Sequence, residues 1–235
     1  PLPAGYTQGE RPRILLSQPN GTYTNKALDF TCYCHSASAA ELNSKGYADI
    51  VVTDTVTAKQ PFILINNKNG TFAADLSRTP SDIKPFSFPS QTTLYAKEFY
   101  TTELVDFNGD GKYDWFIAGN ENAQGLGESK PRIYLNSGTN SFTNVAPQML
   151  PVGGTHQLIL DIVFKNGKIY AERVNADYTS LSIHVVNYAT MLSSIVYTHS
   201  GPYLPSASHW FAMMQPYNNK IVAMDASYSV VSVDL

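Results

Sequence analysis

The chain has 235 residues, of which 43% are hydrophobic, 12% aromatic and 15% charged, and its formal net charge is -3. This composition excludes a disordered chain and a coiled coil, since both need a charge-rich sequence with few aromatic residues. The small net negative charge does not indicate a basic surface that could bind nucleic acid. No apolar run approaches the roughly 20 residues of a membrane span. Abundant Tyr, Thr, Ser, Asn and Gly favour short strands and polar turns, so we predict an all-β protein.

Repeated segments along the chain predict the strands. The segments 13–23, 62–72 and 132–142 share one pattern: a short apolar run, a polar turn with Asn or Gly, and a closing aromatic residue. Asn-Gly supplies the positive φ that tight turns need, and the flanking residues favour strands. We therefore predict a β-hairpin in each segment. The last segment, 228–235, is also rich in β-forming residues.

Two cysteines, Cys32 and Cys34, follow the first hairpin with one residue between them. On a strand, residues at i and i+2 point to the same face about 6.5 to 7 Å apart, so a bond between them would be strained. We expect two small, partly buried thiols. A strained disulfide, and a metal-binding pair completed by His35, are the alternatives.

A second unit recurs between the hairpins. It covers 41–52 and 106–117, where Gly46 and Gly111 are 65 residues apart, and weaker copies follow at 163–171 and 216–224. Four copies at intervals of about 50 to 65 residues, each long enough for about four strands, are typical of the blades of a β-propeller.

The strongest copy has the form Asp-x-Asn-x-Asp-Gly-x-x-Asp at 106–114, followed by an apolar strand and by Leu-Asn-x-Gly-x-x-x-Phe at 135–142. This combination resembles the FG-GAP/VCBS repeat, the blade of integrin-α-like β-propellers. The resemblance covers residues 10–145 well and 155–235 poorly, because the motif is loose at 41–49 and eroded in the last two copies.

The resemblance implies an all-β propeller in a single domain, residues 1–235. Its blades would span approximately 26–75, 95–145, 152–200 and 205–235, the last of them completed by residues 10–25. The ring has four blades if the chain is complete; otherwise the chain is part of a larger propeller.

The segment 106–114 offers oxygen ligands at the spacing of a calcium loop. Ca²⁺ takes about six to eight oxygens, which a tight loop supplies from side chains at positions 1, 3, 5 and 9 and a carbonyl at position 7. The side chains would be those of Asp106, Asn108, Asp110 and Asp114, and Lys112 would offer its carbonyl. An EF-hand is excluded, because its twelfth position needs a bidentate Glu and is Ile117 here. The FG-GAP resemblance implies the same ligands; an Asx-rich turn without an ion is the alternative.

In the matching loop at 41–49, Lys45 stands where the third carboxylate would be. Its ammonium could pair with Glu41 and Asp49 and replace the ion. The carboxylates are absent from the third and fourth copies. We therefore expect one calcium per chain, in a structural role.

The copies also share a column of imidazole and phenol side chains. When the copies are aligned on their glycines, the position 11 residues earlier holds His35, Tyr100 and His156, and His209 lies one residue off it in the fourth copy. In a propeller this position falls near the start of each innermost strand, so these side chains would converge on the central axis. We expect polar lining of a water-filled tunnel; a site for a second, transition metal or a ligand, and acid–base catalysis, are the alternatives.

Other catalytic signatures are missing, among them a nucleophile elbow and a His-Glu-x-x-His motif. The polar segment 119–130 is predicted as an insertion between strands, either a binding loop or a solvated connector. His184 is expected at the surface of an outer strand.

These features and the resemblance predict a secreted or cell-surface, calcium-binding β-propeller. Its expected role is to bind a glycan or an extracellular protein through the loops of one face, with no nucleic-acid partner and no membrane insertion. The first alternative is an enzyme that acts on a polysaccharide or depends on a metal, with the column at its centre. The second is a structural module of a larger secreted protein.

Overall fold

The computed structural model describes residues 9–54, 60–85, 97–121, 129–200, 214–224 and 230–235. The prediction of an all-β protein is confirmed, because the described residues form antiparallel strands with one short 3₁₀ turn at Ser81–Ile83. Within these residues, no helix combines the length and apolarity needed to cross a membrane.

The described residues form five sheets, and within each sheet the strands pair antiparallel in the order of the chain. The N-terminal hairpin consists of β1 (Arg13–Ser17) and β2 (Tyr23–Ala27). Sheet 1 contains β3 (Cys34–Ala40), β4 (Asp49–Asp54), β5 (Phe62–Asn66) and β6 (Phe72–Asp75). Sheet 2 contains β7 (Phe99–Val105), β8 (Asp114–Gly119), β9 (Arg132–Tyr134) and β10 (Gln148–Met149). Sheet 3 contains β11 (Leu158–Lys165), β12 (Lys168–Val174), β13 (Ser180–Asn187) and β14 (Ser193–Ser200). Sheet 4 contains β15 (Met214–Tyr217), β16 (Lys220–Met224) and β17 (Val230–Asp234).

Two of the three predicted hairpins are confirmed. β1 pairs with β2 around Gly21, and β5 pairs with β6 around Gly70. Both glycines have a positive φ, of 79° and 76°. Asn20 Oδ1 and Asn69 Oδ1 each accept the N–H of the Thr two residues later, at 3.1 and 3.0 Å. The local chemistry of these turns therefore determines their geometry.

For the third predicted hairpin, 132–142, the predicted second strand is wrong. β9 pairs with β10, so the return strand lies at Gln148–Met149. Phe142 does not close a strand, because its ring is buried and lies edge-on to Trp115 with the ring centroids 5.4 Å apart. The N–H of Phe142 donates to the carbonyl of Arg78 at 2.8 Å. Burial between two sheets thus overrides the local turn pattern.

The repeated unit is present in the structure, and its loop differs in length between the sheets. In sheets 1 and 2 a buried aspartate begins the second strand: Asp49 on β4 and Asp114 on β8. Asp49 Oδ1 accepts the N–H of Asn66 at 2.9 Å, and Asp114 Oδ1 accepts the N–H of Asn136 at 2.8 Å. In sheet 3 the loop shrinks to a two-residue Asn-Gly turn at 166–167, with φ of 52° and 71°.

The sheets pack face to face in the order of the chain. Trp115 lies in the core between sheets 1 and 2, Phe116 in the core between sheets 2 and 3, and Tyr170 in the core between sheets 3 and 4. Ile14 packs the N-terminal hairpin against the opposite face of sheet 1.

The first strands of the sheets lie side by side. β7 contacts β3 and β11, and β11 also contacts β15. Ser38 on β3 donates to Glu103 Oε2 and accepts the N–H of Leu104 on β7, both at 3.0 Å. The N–H of Met214 on β15 donates to Asp161 Oδ2 on β11 at 2.6 Å. This shared edge, called the inner edge below, positions the candidate site.

Cys32 and Cys34 form a disulfide, so the expectation of two free thiols is wrong. Their Cα atoms are 5.2 Å apart, closer than an extended strand would place them and within the usual disulfide range. Cys32 precedes β3, and the register of β3 shifts between Cys34 and Ala37. The backbone is therefore not a regular strand here, and the i, i+2 spacing of an extended strand does not apply.

Candidate functional site

A cavity of about 420 Å³ opens at the inner edge, where the first strands of sheets 1, 2 and 3 meet. Its described lining residues are Tyr33, His35, Ser36, Tyr100, Thr101, Leu160 and Asp161. We call this cavity the inner pocket. Aromatic rings combined with a few hydroxyl groups and a carboxylate are typical of sites that orient a small polar ligand.

β-Bulges direct side chains of all three strands into the inner pocket. The register of β3 shifts across His35 and Ser36, that of β7 at Tyr100 and that of β11 at Leu160. A bulge changes the direction in which the extra side chain points, and His35, Tyr100 and Leu160 all line the cavity. His35 and Tyr100, two members of the predicted column, thus come together with ring centroids 5.1 Å apart. In sheet 3 the equivalent bulge position holds Leu160. The turn between the first two strands is shorter there, so counting back 11 residues from Gly167 passes Leu160 and reaches His156.

His156 lies in a separate group on sheet 3. Its Nε2 is 2.9 Å from Ser180 Oγ, and its ring centroid is 5.9 Å from that of His184. Burial and the charge of Arg173 lower the pKa of both imidazoles, that of His184 to about 4. His184 is 5% exposed, so its expected surface position is wrong: β13 is an internal strand of sheet 3. His209 lies outside the described residues.

Tyr33, His35 and Tyr100 form the aromatic side of the inner pocket, and contacts on both sides of His35 hold these rings in place. The hydroxyl of Tyr100 donates to Glu98 Oε2 at 2.9 Å, and Asn120 Nδ2 donates to the same oxygen at 3.1 Å. On the other side, Tyr33 lies edge-on to His35 with the ring centroids 5.1 Å apart. The disulfide joins Cys32 and Cys34, the residues on either side of Tyr33, and so restrains the backbone of Tyr33.

Burial determines the protonation states in the inner pocket. It lowers the pKa of His35, against the opposing charges of two nearby carboxylates, so the imidazole is neutral at pH 7. It raises the pKa of Tyr100 above its ordinary value, so this hydroxyl keeps its proton. It raises the pKa of Asp161 to about 6, against two backbone N–H donors. At neutral pH the pocket therefore offers a neutral imidazole, a phenol and a carboxyl group that exchanges its proton near pH 6.

A second carboxyl group lies behind Asp161. Glu172 pairs with Asp161 across β11 and β12, so both side chains are on the same face of sheet 3. Glu172 is 0% exposed, and both of its oxygens lack a hydrogen-bond partner in the part of the chain that the structure describes. Burial and the charge of Asp161 raise its pKa to about 8, so Glu172 is protonated at pH 7. Burial and Asp161 also raise the pKa of Glu103 on β7.

The loop at 106–114 connects β7 to β8, and its side-chain oxygens accept its own backbone N–H groups. Asp106 accepts three of them, from residues 109, 110 and 111, at 2.7, 3.1 and 2.8 Å. Asn108 and Asp110 each accept the N–H two residues later, both at 2.9 Å. These bonds hold the predicted ligand side chains within one tight turn.

Asp114 closes this loop from β8. It is buried, and its Oδ2 accepts the N–H of Phe107 at 3.0 Å. Burial raises its pKa, and the negative charges of Asp110 and Asp106 raise it further. The donor set is the hard-oxygen set that calcium prefers, and its carboxylates are close enough to repel each other. Among the described residues, however, no three His, Cys, Asp or Glu side chains converge as a metal site, so calcium stays a prediction.

The matching loop of sheet 1 does not form the predicted ion pairs. Within the described ranges, Lys45 has neither Glu41 nor Asp49 within ion-pair distance. Glu41 accepts a backbone N–H of the loop instead. In sheet 2, by contrast, Lys112 Nζ lies 3.4 Å from Asp110 Oδ2. The ammonium of Lys45 is therefore not neutralised by its own loop.

The insertion after β8 starts at a buried ion pair that the sequence patterns did not indicate. Glu121 Oε1 lies 2.6 Å from Arg173 Nη1, and each side chain is 1% exposed. Glu121 Oε2 accepts the N–H of Gly153 at 2.7 Å, and Arg173 donates to the carbonyl of Pro151 at 3.1 Å. The pair fixes the start of the insertion to sheet 3, and residues 122–128 lie outside the described residues.

Comparisons with known proteins leave the family of the chain open. No family model matches the chain, and no curated protein matches it significantly. The likeness to FG-GAP/VCBS repeats therefore stays a prediction.

Proposed function

We propose that this chain is a four-bladed β-propeller of the FG-GAP/VCBS type that binds a glycan in the inner pocket. The packing order supports this architecture, because successive antiparallel sheets stack face to face and place their first strands at one inner edge. Propeller blades have that arrangement. The N-terminal hairpin, which packs against sheet 1, would complete the ring together with the three-stranded sheet 4.

The observation that carries the binding function is the composition of the inner pocket. Sugar rings pack their C–H faces on aromatic rings, and their hydroxyl groups form hydrogen bonds with carboxylates and neutral imidazoles. Tyr33 and Tyr100 supply the rings, and His35 and Asp161 supply the polar groups. The volume of about 420 Å³ lies within the range of about 300 to 1,000 Å³ that small-ligand sites have.

The disulfide and the acidic loop support the remaining parts of the proposal. A disulfide between Cys32 and Cys34 favours a secreted or cell-surface location, since disulfides persist in oxidising compartments. Calcium would be held by the side chains of the 106–114 loop and by the carbonyl of Lys112. It would neutralise Asp106, Asp110 and Asp114 and so stabilise sheet 2, a structural role.

Isothermal titration calorimetry with a panel of oligosaccharides tests the binding function. We expect at least one class of oligosaccharide to bind in this pocket. Tyr33→Ala and Tyr100→Ala should each weaken that binding about fivefold or more, because an aromatic stacking contact contributes about 1 kcal/mol beyond its area. Tyr217→Ala removes a 65% exposed ring on sheet 4 and should bind like the wild type. The proposal is wrong if no oligosaccharide binds, or if every oligosaccharide that binds the wild type binds the Tyr33→Ala protein equally well.

A second candidate function is hydrolysis of a polysaccharide in the same pocket. The observation that favours it is the carboxyl group of Asp161, whose pKa of about 6 suits a general acid near neutral pH. Asp161→Asn should then abolish the release of reducing ends but preserve oligosaccharide binding. If a polysaccharide that binds the wild type is not cleaved by it, the binding function stands alone.

A further inference from the structure

A second cavity, of about 230 Å³, lies on sheet 1 away from the inner pocket, and its described lining is basic and amide-rich. Lys45, Lys68 and Arg78 line it together with Asn43, Asn66 and Asn140, and Tyr47 and Asp49 contribute as well. We call this cavity the basic groove. It shares no described lining residue with the inner pocket.

Two of the three cations in the basic groove lack an anionic partner. Arg78 Nε donates to Asp75 Oδ2 at 2.8 Å, so its charge is balanced. Lys45 and Lys68, by contrast, have no carboxylate within ion-pair distance among the residues that the structure describes. Asp49 does not fill this role, because it is 3% exposed and its Oδ1 accepts the N–H of Asn66. Asp49 offsets one of the two lysine charges across the lining as a whole, so the groove has a net positive charge of about one unit, carried by ammonium groups without an ion-pair partner among the described residues.

An aromatic ring stands next to these charges. Tyr47 is 45% exposed, and Lys68 Nζ lies over its ring at 5.1 Å from the centroid. A cation held against an exposed aromatic face suits a flat, partly apolar ligand that bears a negative group. The amide groups of Asn43 and Asn140 are hydrogen-bonding groups at the same surface.

The position of Lys45 in the repeat explains why this charge lies here. It stands 65 residues before Asp110, at the equivalent place in the loop before the second strand of the sheet. In sheet 2 this position holds a carboxylate, whereas in sheet 1 the same position presents an ammonium to a groove. The two copies of one loop thus carry side chains of opposite charge at this position.

We propose that the basic groove binds the carboxylate or sulfate group of an acidic glycan, with Lys45 and Lys68 as the contacting cations and Tyr47 as the platform for the sugar ring. This inference does not depend on binding in the inner pocket. A nucleic acid is disfavoured as the ligand, because two lysines on a chain of net charge -3 are too few for a phosphate backbone.

Calorimetric titration of the full chain with an oligogalacturonate, a heparin-derived hexasaccharide, a neutral cello-oligosaccharide and inorganic sulfate tests the proposal. We expect at least one acidic oligosaccharide to bind at about 50 mM NaCl and to bind more weakly at about 500 mM NaCl. The double variant Lys45→Gln/Lys68→Gln should lose about tenfold in affinity for it. Lys165→Gln/Lys168→Gln, which removes two cations from the β11–β12 hairpin, is the matched control and should bind like the wild type.

Two additional titrations distinguish binding in the basic groove from binding in the inner pocket and from simple charge attraction. Tyr33→Ala should leave acidic-glycan binding intact even where it weakens binding in the inner pocket, so the two proposals can fail independently. The inference is wrong if no acidic oligosaccharide binds, if the Lys45→Gln/Lys68→Gln variant binds like the wild type, or if inorganic sulfate or a single-stranded oligonucleotide binds as tightly as the acidic glycan.

Discussion

Replacement of Glu172 by Gln should stabilise the protein in a pH-dependent way. In the native state, burial and Asp161 raise the pKa of Glu172 from 4.5 to about 8. The unfolded chain releases this proton above pH 4.5, whereas the folded chain retains it up to about pH 8. The folded state therefore holds the extra proton, and its stability falls as the pH rises through this window.

The structure sets the size of this effect. At about 1.4 kcal/mol per pH unit, a rise of the pKa from 4.5 to about 8 corresponds to an upper limit of about 5 kcal/mol. Neutral Gln has nearly the same shape and does not ionise. We therefore expect Glu172→Gln to differ from the wild type by less than about 1 kcal/mol near pH 5 and to be more stable by about 2 to 4 kcal/mol at pH 8.

Urea unfolding between pH 5 and pH 9, at a fixed calcium concentration, measures this difference. Fluorescence of the buried Trp115 reports the loss of the core between sheets 1 and 2. Asp29→Asn, which removes a fully exposed carboxylate, is the control and should leave the pH dependence unchanged. Parallel curves for Glu172→Gln and the wild type over the whole range would refute the assignment of Glu172 as a protonated, unpartnered group.

Two further predictions concern the ion pair and the acidic loop. Glu121→Gln should destabilise the fold by about 3 kcal/mol in urea unfolding, because it leaves the guanidinium of Arg173 buried without its anion. Asp234→Asn removes one partner of an exposed ion pair and should lower the free energy of unfolding by less than about 1 kcal/mol. Equal effects of the two substitutions would contradict this expectation. Calcium should raise the melting temperature of the wild type by about 5 °C or more. Asp106→Asn should lose most of this rise, whereas Glu41→Gln in the matching loop of sheet 1 should keep it; a wild type that does not respond to calcium rules out the loop as a calcium site.

The strands were predictable where short-range chemistry determines them. The turns at Gly21 and Gly70 need a positive φ, and the sequence supplies glycine after asparagine at both. The hairpin predicted to close at Phe142 failed, because the ring is buried against Trp115 in a core between two sheets. No local pattern reports such a tertiary contact.

The candidate site was predictable only in part. Periodicity placed His35 and Tyr100 at equivalent positions, and the bulges bring them together. His156 was misplaced because the turn at 166–167 is shorter than the loops of sheets 1 and 2, a change that an alignment on glycines cannot detect.

The buried charges gave a weaker signal, which was available in the sequence. Glu172 and Arg173 stand side by side near the end of strand β12, directly after the apolar residues 169–171. Two adjacent charges in such a strand point to opposite faces, so each needs its own partner or a shifted pKa. Glu121, the ion-pair partner of Arg173, and Asp161, the carboxyl group that raises the pKa of Glu172, come from other parts of the chain, and only the fold brings them close.

A crystal structure of the protein with the oligosaccharide whose affinity falls most on Tyr33→Ala substitution is the most direct measurement of the proposed function. We predict a sugar ring against Tyr33 and Tyr100 in the inner pocket, with hydroxyl groups within hydrogen-bonding distance of His35 and Asp161. A ligand bound only at peripheral loops, with an inner pocket filled by water, would contradict the account.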